Sequence, residues 1–185
     1  FGIYGIFIGL ILIITYLSST QSFDKDYLYP YVPINLDEKL DGFDTRFKVT
    51  PPLRTETDRQ ALLNGVKDGT IDIITSDHNP IDIEFKKMEF DTAKNGTIGL
   101  ESAFGALLTV LPLETVIEKL TSGKAVFGIE SDSIAEGSKA NFTFFTPEGT
   151  ATFTKASILS KSKNSAFLGT EIKGAVYGIL NQNQL

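Results

Sequence analysis

The sequence predicts an α/β fold, and two neighbouring segments carry that prediction. Residues 71–75 (IDIIT) are an apolar, mostly β-branched run, the composition of a buried strand. The segment before it has the signals of a helix that Thr55 caps and Gly69 ends. A helix that leads directly into a strand is typical of a βα repeat.

The chain after this repeat alternates between polar and periodic segments. Residues 82–95 are rich in charge and predict a loop, whereas residues 98–110 and 113–120 carry apolar residues at helical spacing. Residues 36–137 are therefore predicted to form the α/β part of the protein.

The carboxyl-terminal residues 138–185 have a different character and predict a small β module. Short strand-like runs occur at 141–145, 151–154 and 174–180, and Pro-Glu-Gly at 147–149 predicts a turn between the first two. We expect these runs to form β-hairpins.

The amino-terminal residues 1–17 (FGIYGIFIGLILIITYL) contain no charged residue. This length falls within the range of a membrane-spanning helix. A signal anchor, a buried helix of another domain and an artefactual start are equally open interpretations. Residues 18–35 are polar, aromatic and proline-bearing, and predict a linker.

Composition excludes several classes of site. The net charge is −6 and no basic stripe occurs, so nucleic-acid binding is not expected. The absence of cysteine excludes disulfides, thiolate zinc sites and cysteine nucleophiles. Because the chain has a single histidine, it cannot complete by itself a metal site built mainly from imidazoles.

The end of the predicted strand is the strongest candidate for a functional site. Asp77 and His78 follow residues 71–75, and the carboxyl-terminal ends of parallel barrel strands are where catalytic residues lie. A carboxylate there can bind a metal or take a proton. The alternative is that Asp77 only stabilises a turn before Asn79 and Pro80.

Five motifs, in order, resemble those of dihydroorotases and other cyclic amidohydrolases. They are FDTRFKVTPPLR at 43–54, TSDHNP at 75–80, GTIGLE at 96–101, EGSKAN at 136–141 and SKSKNSAFLG at 160–169. The resemblance runs from about residue 36 to residue 185 and includes only the carboxyl half of such an enzyme.

The resemblance implies the carboxyl-terminal part of a zinc-dependent (β/α)8 barrel with a β-sandwich segment. It implies cleavage of a cyclic amide, with dihydroorotate and carbamoyl-aspartate as small-molecule substrates in pyrimidine synthesis and a cytoplasmic location. Asp77 stands at the position of the metal ligand and proton shuttle, and His78 beside it is expected to orient the loop. Arg54, Thr50 and Ile81 stand at substrate-binding positions.

The departures from the family pattern bear on activity. Ile81 replaces a histidine that contacts substrate, Thr50 replaces an asparagine, and residues 32–36 lack the expected strand-6 histidine. The chain also lacks the family's amino-terminal His-x-His pair, so we expect it to be inactive alone.

Four other charged residues have structural as well as functional interpretations. Arg54 could bind an anion or pair with Asp58, and Glu101 is expected to favour a helix dipole. Lys161 and Lys163 are expected to lie on a solvated turn.

Three functions remain open on sequence grounds. The first is an incomplete dihydroorotase-like hydrolase. The alternatives are a non-catalytic paralogue that acts as a structural partner, and a non-catalytic fragment anchored to a membrane through residues 1–17. The sequence leaves open whether the protein forms a homo-oligomer.

Overall fold

The computed structural model describes residues 37–122, 128, 134–138 and 140–181. Within these ranges the longer elements are α1 (Glu56–Asp68), α2 (Leu100–Leu107), α3 (Leu113–Thr121), β1 (Asn141–Thr152) and β2 (Glu171–Asn181). Short 3-10 turns lie between them. The α/β prediction and all three predicted helices are confirmed. The candidate membrane segment 1–17 and the linker 18–35 lie outside the described residues.

Helix α1 forms where its local signals predict it. The Thr55 hydroxyl accepts the Asp58 backbone N–H at 3.3 Å, which satisfies one of the free donors of the first turn. Gly69 ends the helix at φ 84°, a left-handed conformation that glycine adopts without steric cost. Leu63 and Val66 face inward and are buried.

The predicted strand at residues 71–75 is buried, but it is not a strand in this structure. Ile71, Ile73 and Ile74 are each less than a tenth exposed, and the Ile74 N–H donates to Lys119 O at the end of α3. A strand needs a neighbouring strand for its ladder. Within the described residues the one parallel contact here is the isolated bridge between His78 and Thr97.

The largest core joins this segment to the three helices. Its buried members are Leu63, Val66, Ile71, Ile73, Ile74, Leu107, Leu108, Leu111 and Val116. The core thus lies directly beneath the chain that leads to Asp77.

Strands β1 and β2 form one antiparallel pair rather than separate hairpins. Their register runs from Asn141 opposite Asn181 to Thr152 opposite Glu171. The turn predicted at 147–149 is wrong, because these residues bulge within β1 at a register shift. Both flanks of the bulge pair with β2, and Gly149 takes up the irregularity at φ 85°.

A second core connects the two predicted parts of the chain. Ile98 and Ala106 pack with Phe153, Ile158 and Phe167. The Phe104 and Phe145 rings also meet edge to face, 4.9 Å apart. The boundary between the α/β part and the β module, placed between residues 137 and 138, stays a prediction. Apolar side chains on its two sides are in contact. In the described part of the chain, none of the helices has the length and apolar character needed to cross a membrane.

Candidate functional site

Asp77 lies in a tight turn that follows the buried segment. We call residues 75–81 the site turn. The Asp77 N–H donates to Thr75 Oγ1 at 2.9 Å, and the Asn79 N–H donates to Thr97 O at 2.9 Å. Asp77 has φ 41°, a left-handed conformation that is uncommon outside glycine but that aspartate tolerates better than most residues.

Burial gives the Asp77 carboxyl an altered acidity. It raises the pKa of this group above its ordinary value, because a charged carboxylate loses solvation in a partly buried position. A carboxyl group with a raised pKa is better matched to proton transfer near neutral pH. The site turn therefore presents a partly buried carboxyl group with a raised pKa.

His78 attaches the site turn to the start of α2. Its Nδ1 accepts the backbone N–H groups of Gly99 and Leu100, at 3.4 and 3.3 Å. An accepting Nδ1 carries no proton, so the ring is neutral, and burial lowers the pKa of His78 despite the opposing charge of Glu101. These contacts support the expectation that His78 orients the loop, which stays a prediction.

Glu101 links α2 to the chain before β2. Its Oε1 accepts the N–H groups of Leu159 and Ser160, at 3.2 and 2.8 Å. Its Oε2 is buried without a hydrogen-bond partner and lies 3.9 Å from His78 Nδ1. Because that nitrogen accepts hydrogen bonds, this approach is not an ion pair. Glu101 thus bonds a distant segment, a contact that its place at a helix start did not indicate.

The three predicted substrate-binding residues have different surroundings. Thr50 is exposed, and Arg54 is partly buried with its carbonyl accepting the Asp37 N–H at 3.2 Å. Ile81 ends the site turn, and its carbonyl accepts the Ser162 hydroxyl at 2.7 Å. Only Ile81 of the three belongs to the site turn, and the substrate-binding assignments stay predictions.

The remaining charged candidates have structural contacts or solvent around them. Asp58 accepts the Thr55 hydroxyl at 2.9 Å. Lys163 Nζ donates to the Ile158 carbonyl at 2.6 Å, and Lys161 is exposed. Lys163 was expected to lie on a solvated turn, but its side chain also makes this hydrogen bond within the chain.

Sequence reasoning missed Lys86, which it had placed in a charged loop. The side chain is 4% exposed, and its Nζ donates to Thr45 O and Lys48 O, each at 2.9 Å. Burial and the neighbouring Lys48 charge lower the pKa of Lys86 to about 8. No local pattern signals this burial, because the acceptors lie about forty residues earlier in the chain.

The described residues do not form a zinc site by themselves. They contain no group of three or more histidine, aspartate or glutamate side chains that could hold a metal ion. Catalytic zinc sites use three protein ligands. Asp77 could supply one of them, while Nδ1 of His78 is already engaged with α2.

Curated relatives of this chain are dihydroorotases. It is 41% identical over 145 residues to the dihydroorotase of Geobacter metallireducens, a match covering 75% of this chain and 34% of that relative. It is 36% identical over 162 residues to the dihydroorotase of Caldicellulosiruptor saccharolyticus, covering 84% and 37%. The chain therefore spans about a third of the length of these relatives.

Solved structures of amidohydrolases share the fold. The L-hydantoinase (dihydropyrimidinase) of Arthrobacter aurescens matches with a TM-score of 0.72 at 22% identity, covering 85% of this chain and 39% of that one. The Saccharomyces cerevisiae dihydroorotase in complex with 5-fluoroorotic acid matches with a TM-score of 0.62 at 13% identity, covering 84% and 45%. At these identities the likeness concerns the fold alone.

A model of another protein family matches the amino-terminal third of the chain. It describes the Bacillus/Clostridium GerA spore germination protein and matches residues 1–60. The beginning of the chain thus resembles a family other than the one its longer matches indicate.

Proposed function

We propose that this chain is the carboxyl-terminal part of a hydrolase that opens a cyclic amide, because over about three quarters or more of its length it is 36–41% identical to members of the dihydroorotase family. The names of the relatives and the five motifs at residues 43–169 support dihydroorotate and carbamoyl-aspartate as the substrate pair. The observation that carries the proposal is the partly buried Asp77 carboxyl in the site turn, whose pKa is raised by burial.

In the proposed reaction, Asp77 moves the proton. Water adds to the ring amide carbonyl, whose carbon becomes tetrahedral. At the same time the water gives one proton to the Asp77 carboxylate. Asp77 returns that proton to the ring nitrogen as the carbon–nitrogen bond breaks. The carboxyl group that forms then loses the remaining water proton to solvent, so the product carries a carboxylate and a free ureido group, and one water is consumed for each ring opened. A positioned carboxyl group contributes roughly 10²–10⁴-fold in such steps.

We also propose Asp77 as one ligand of a zinc ion in the larger enzyme, with the other ligands outside this chain. The zinc would activate the attacking water. Arg54, Thr50 and Ile81 are the proposed substrate-facing positions, and His78 is proposed to hold the site turn in place.

A chimaera tests this proposal. The part of the Geobacter metallireducens dihydroorotase that this chain matches is replaced by the matching part of this chain. We expect a folded, zinc-binding chimaera that hydrolyses dihydroorotate, while the 185-residue chain alone has no activity. The unmodified relative is the positive control. A chimaera that folds and binds zinc, as circular dichroism and metal analysis would show, but gives no turnover would contradict catalysis.

Ile81 and Thr50 favour one alternative, a non-catalytic paralogue that acts as a structural partner. An isoleucine side chain cannot donate a hydrogen bond to a substrate carboxylate. An Ile81→His variant of the chimaera separates the two functions. If Ile81→His gains activity where the parent chimaera has none, the paralogue interpretation is correct.

The alternative of a membrane-anchored fragment depends on the amino-terminal residues. Residues 1–17 are uncharged, and the spore-germination match covers residues 1–60. Partition of the whole chain and of a variant without residues 1–17 between vesicles and buffer tests this alternative. Equal partition of both proteins would contradict it.

A further inference from the structure

The far end of the site turn is held from a distant part of the chain. The Asp77 N–H bonds the Thr75 hydroxyl and the Asn79 N–H bonds the Thr97 carbonyl, as described above, but Pro80 has no N–H to donate. At Ile81 the carbonyl accepts the Ser162 hydroxyl at 2.7 Å, a contact across 81 positions of sequence. Ser162 therefore meets the site turn where the proposed substrate-facing side chain begins.

The segment that carries Ser162 is itself firmly placed. We call residues 159–166 the clamp segment. Asn164 is 3% exposed, its side-chain amide donates to Gly96 O at 2.9 Å, and its carbonyl accepts the Ile98 N–H at 2.9 Å. The Ala166 N–H donates to Thr97 Oγ1 at 2.9 Å. These bonds join the clamp segment to the chain just before α2.

The same segment is fixed at its other end by the residue that lies beside His78. Glu101 Oε1 accepts the N–H groups of Leu159 and Ser160, and Ser160 is 5% exposed. The Ser162 hydroxyl also accepts the Asn164 N–H at 3.3 Å, which directs its own proton toward Ile81. The hydroxyl thus has one donor and one acceptor partner, both on the main chain.

We propose that Ser162 is a positioning residue, which sets the main chain at Ile81 and through it the substrate-facing side chain of the site. The link to substrate binding rests on the proposed function. The restraint itself is the hydrogen bond between Ser162 and Ile81, which lies within this chain. Ser162 is not proposed to touch substrate. It acts through Ile81, the proposed substrate-facing position.

The first experiment uses the full chain and needs no activity. Hydrogen exchange is measured for Ser162→Ala, for Ser162→Thr, which keeps the hydroxyl, and for Lys161→Ala, an exposed neighbour. We expect Ser162→Ala to speed exchange at the Asn79 N–H, which donates to Thr97 O, by about tenfold, with α1 unchanged, because local opening involves only the restrained segment. Ser162→Thr and Lys161→Ala should match the parent chain.

Two outcomes of the exchange experiment would overturn the inference. One is unchanged exchange at Asn79 in Ser162→Ala. The other is an equal increase in α1, which would mean that the hydroxyl supports overall stability and not the turn.

The second experiment measures kinetics in the chimaera. For a positioning role through Ile81, Ser162→Ala should raise KM about tenfold and lower kcat less than about threefold, since it loosens binding more than the proton transfer. Ser162→Thr should restore KM. Equal KM values in Ser162→Ala and the parent would contradict the link to the substrate-facing position. If the parent chimaera is inactive, the proposed function fails while the exchange measurement still decides the positioning role.

Discussion

Helix α1 and the site turn are stabilised by hydrogen bonds of very different sequence separation. The Thr55 cap of α1 reaches three residues along the chain, and Gly69 ends the helix through its own backbone conformation. In the site turn, by contrast, His78 bonds groups 21 and 22 residues away, and Ile81 bonds a hydroxyl 81 residues away. The helix is determined locally, and the turn depends on two distant segments, residues 97–100 and the clamp segment.

This difference implies different responses to mutation. A mutation at the cap of α1 should act through helix stability alone, because the hydrogen-bond partner of the cap lies in the first turn of the same helix. A change at a distant partner of the site turn should displace the Asp77 carboxyl even when the local sequence around Asp77 is untouched.

The largest expected effect is the loss of the carboxyl group itself. In the chimaera, Asp77→Asn should lower kcat by about 10³-fold or more, since an amide cannot accept the proton. The fold should be kept, because asparagine tolerates the left-handed φ of 41° at this position. Initial rates of dihydroorotate hydrolysis and a thermal melt measure the two effects.

His78→Asn is the matched comparison for that variant. It removes a residue that holds the turn rather than the proton-transferring group, so it should cost about 10–100-fold. Activity of Asp77→Asn equal to that of the unmutated chimaera would exclude Asp77 as the proton shuttle.

Gly99→Ala should disturb the turn from a distance. A Cβ at Gly99 would lie 2.5 Å from the backbone oxygen of Ser76, so the main chain on one side must move. We expect a loss of about 1–3 kcal/mol in the free energy of unfolding. Urea unfolding of the full chain measures it.

Gly42→Ala is the control, since nothing lies within 4 Å of a Cβ there. The chimaera carrying Gly99→Ala should also lose activity although its Asp77 is intact. Equal stability of both glycine variants would show that the approach of Gly99 to Ser76 is not a restraint.

Lys86→Met tests a second group that is held from a distance. The variant loses two hydrogen bonds from a charged donor, so we expect a cost of about 1–2 kcal/mol at pH 7. Its effect should depend on pH. The folded-state pKa of about 8 lies below the ordinary lysine value of 10.5, so the unfolded chain binds more protons between these values. The contribution of Lys86 to stability therefore rises with pH across that window.

Urea unfolding between pH 7 and pH 10 should then show a growing difference between the parent chain and Lys86→Met. Lys87→Met, at an exposed neighbour, should show no such trend. A difference that stays constant with pH would contradict the depressed pKa of Lys86.

The smallest effect is expected at the cap of α1. Thr55→Ala removes the acceptor of the Asp58 N–H and should cost about 1 kcal/mol. Thr57→Ala, one residue into the same helix, removes a hydroxyl without a capping role and should change stability by only a few tenths of a kcal/mol. Thermal melts of the two variants measure the difference. Faster hydrogen exchange at Asn79 in Thr55→Ala would contradict the conclusion that the helix cap and the site turn are stabilised independently.

The sequence by itself determined the three helices and the position of the candidate carboxyl. Caps, glycine stops and apolar spacing act within a few residues, so the signals for α1, α2 and α3 are complete in their own segments. The motif around Asp77 was also visible, because its acid, histidine and proline are neighbours in the chain.

Only the tertiary structure decided how that carboxyl is held. Residues 71–75 have strand composition, yet pairing depends on a partner strand, and the described residues place a helix end there instead. Residues 147–149 have turn composition, yet pairing on both sides made them a bulge in β1. The contacts of Glu101 and Ser162 join residues 58 to 81 positions apart, and no local pattern encodes separations of that length.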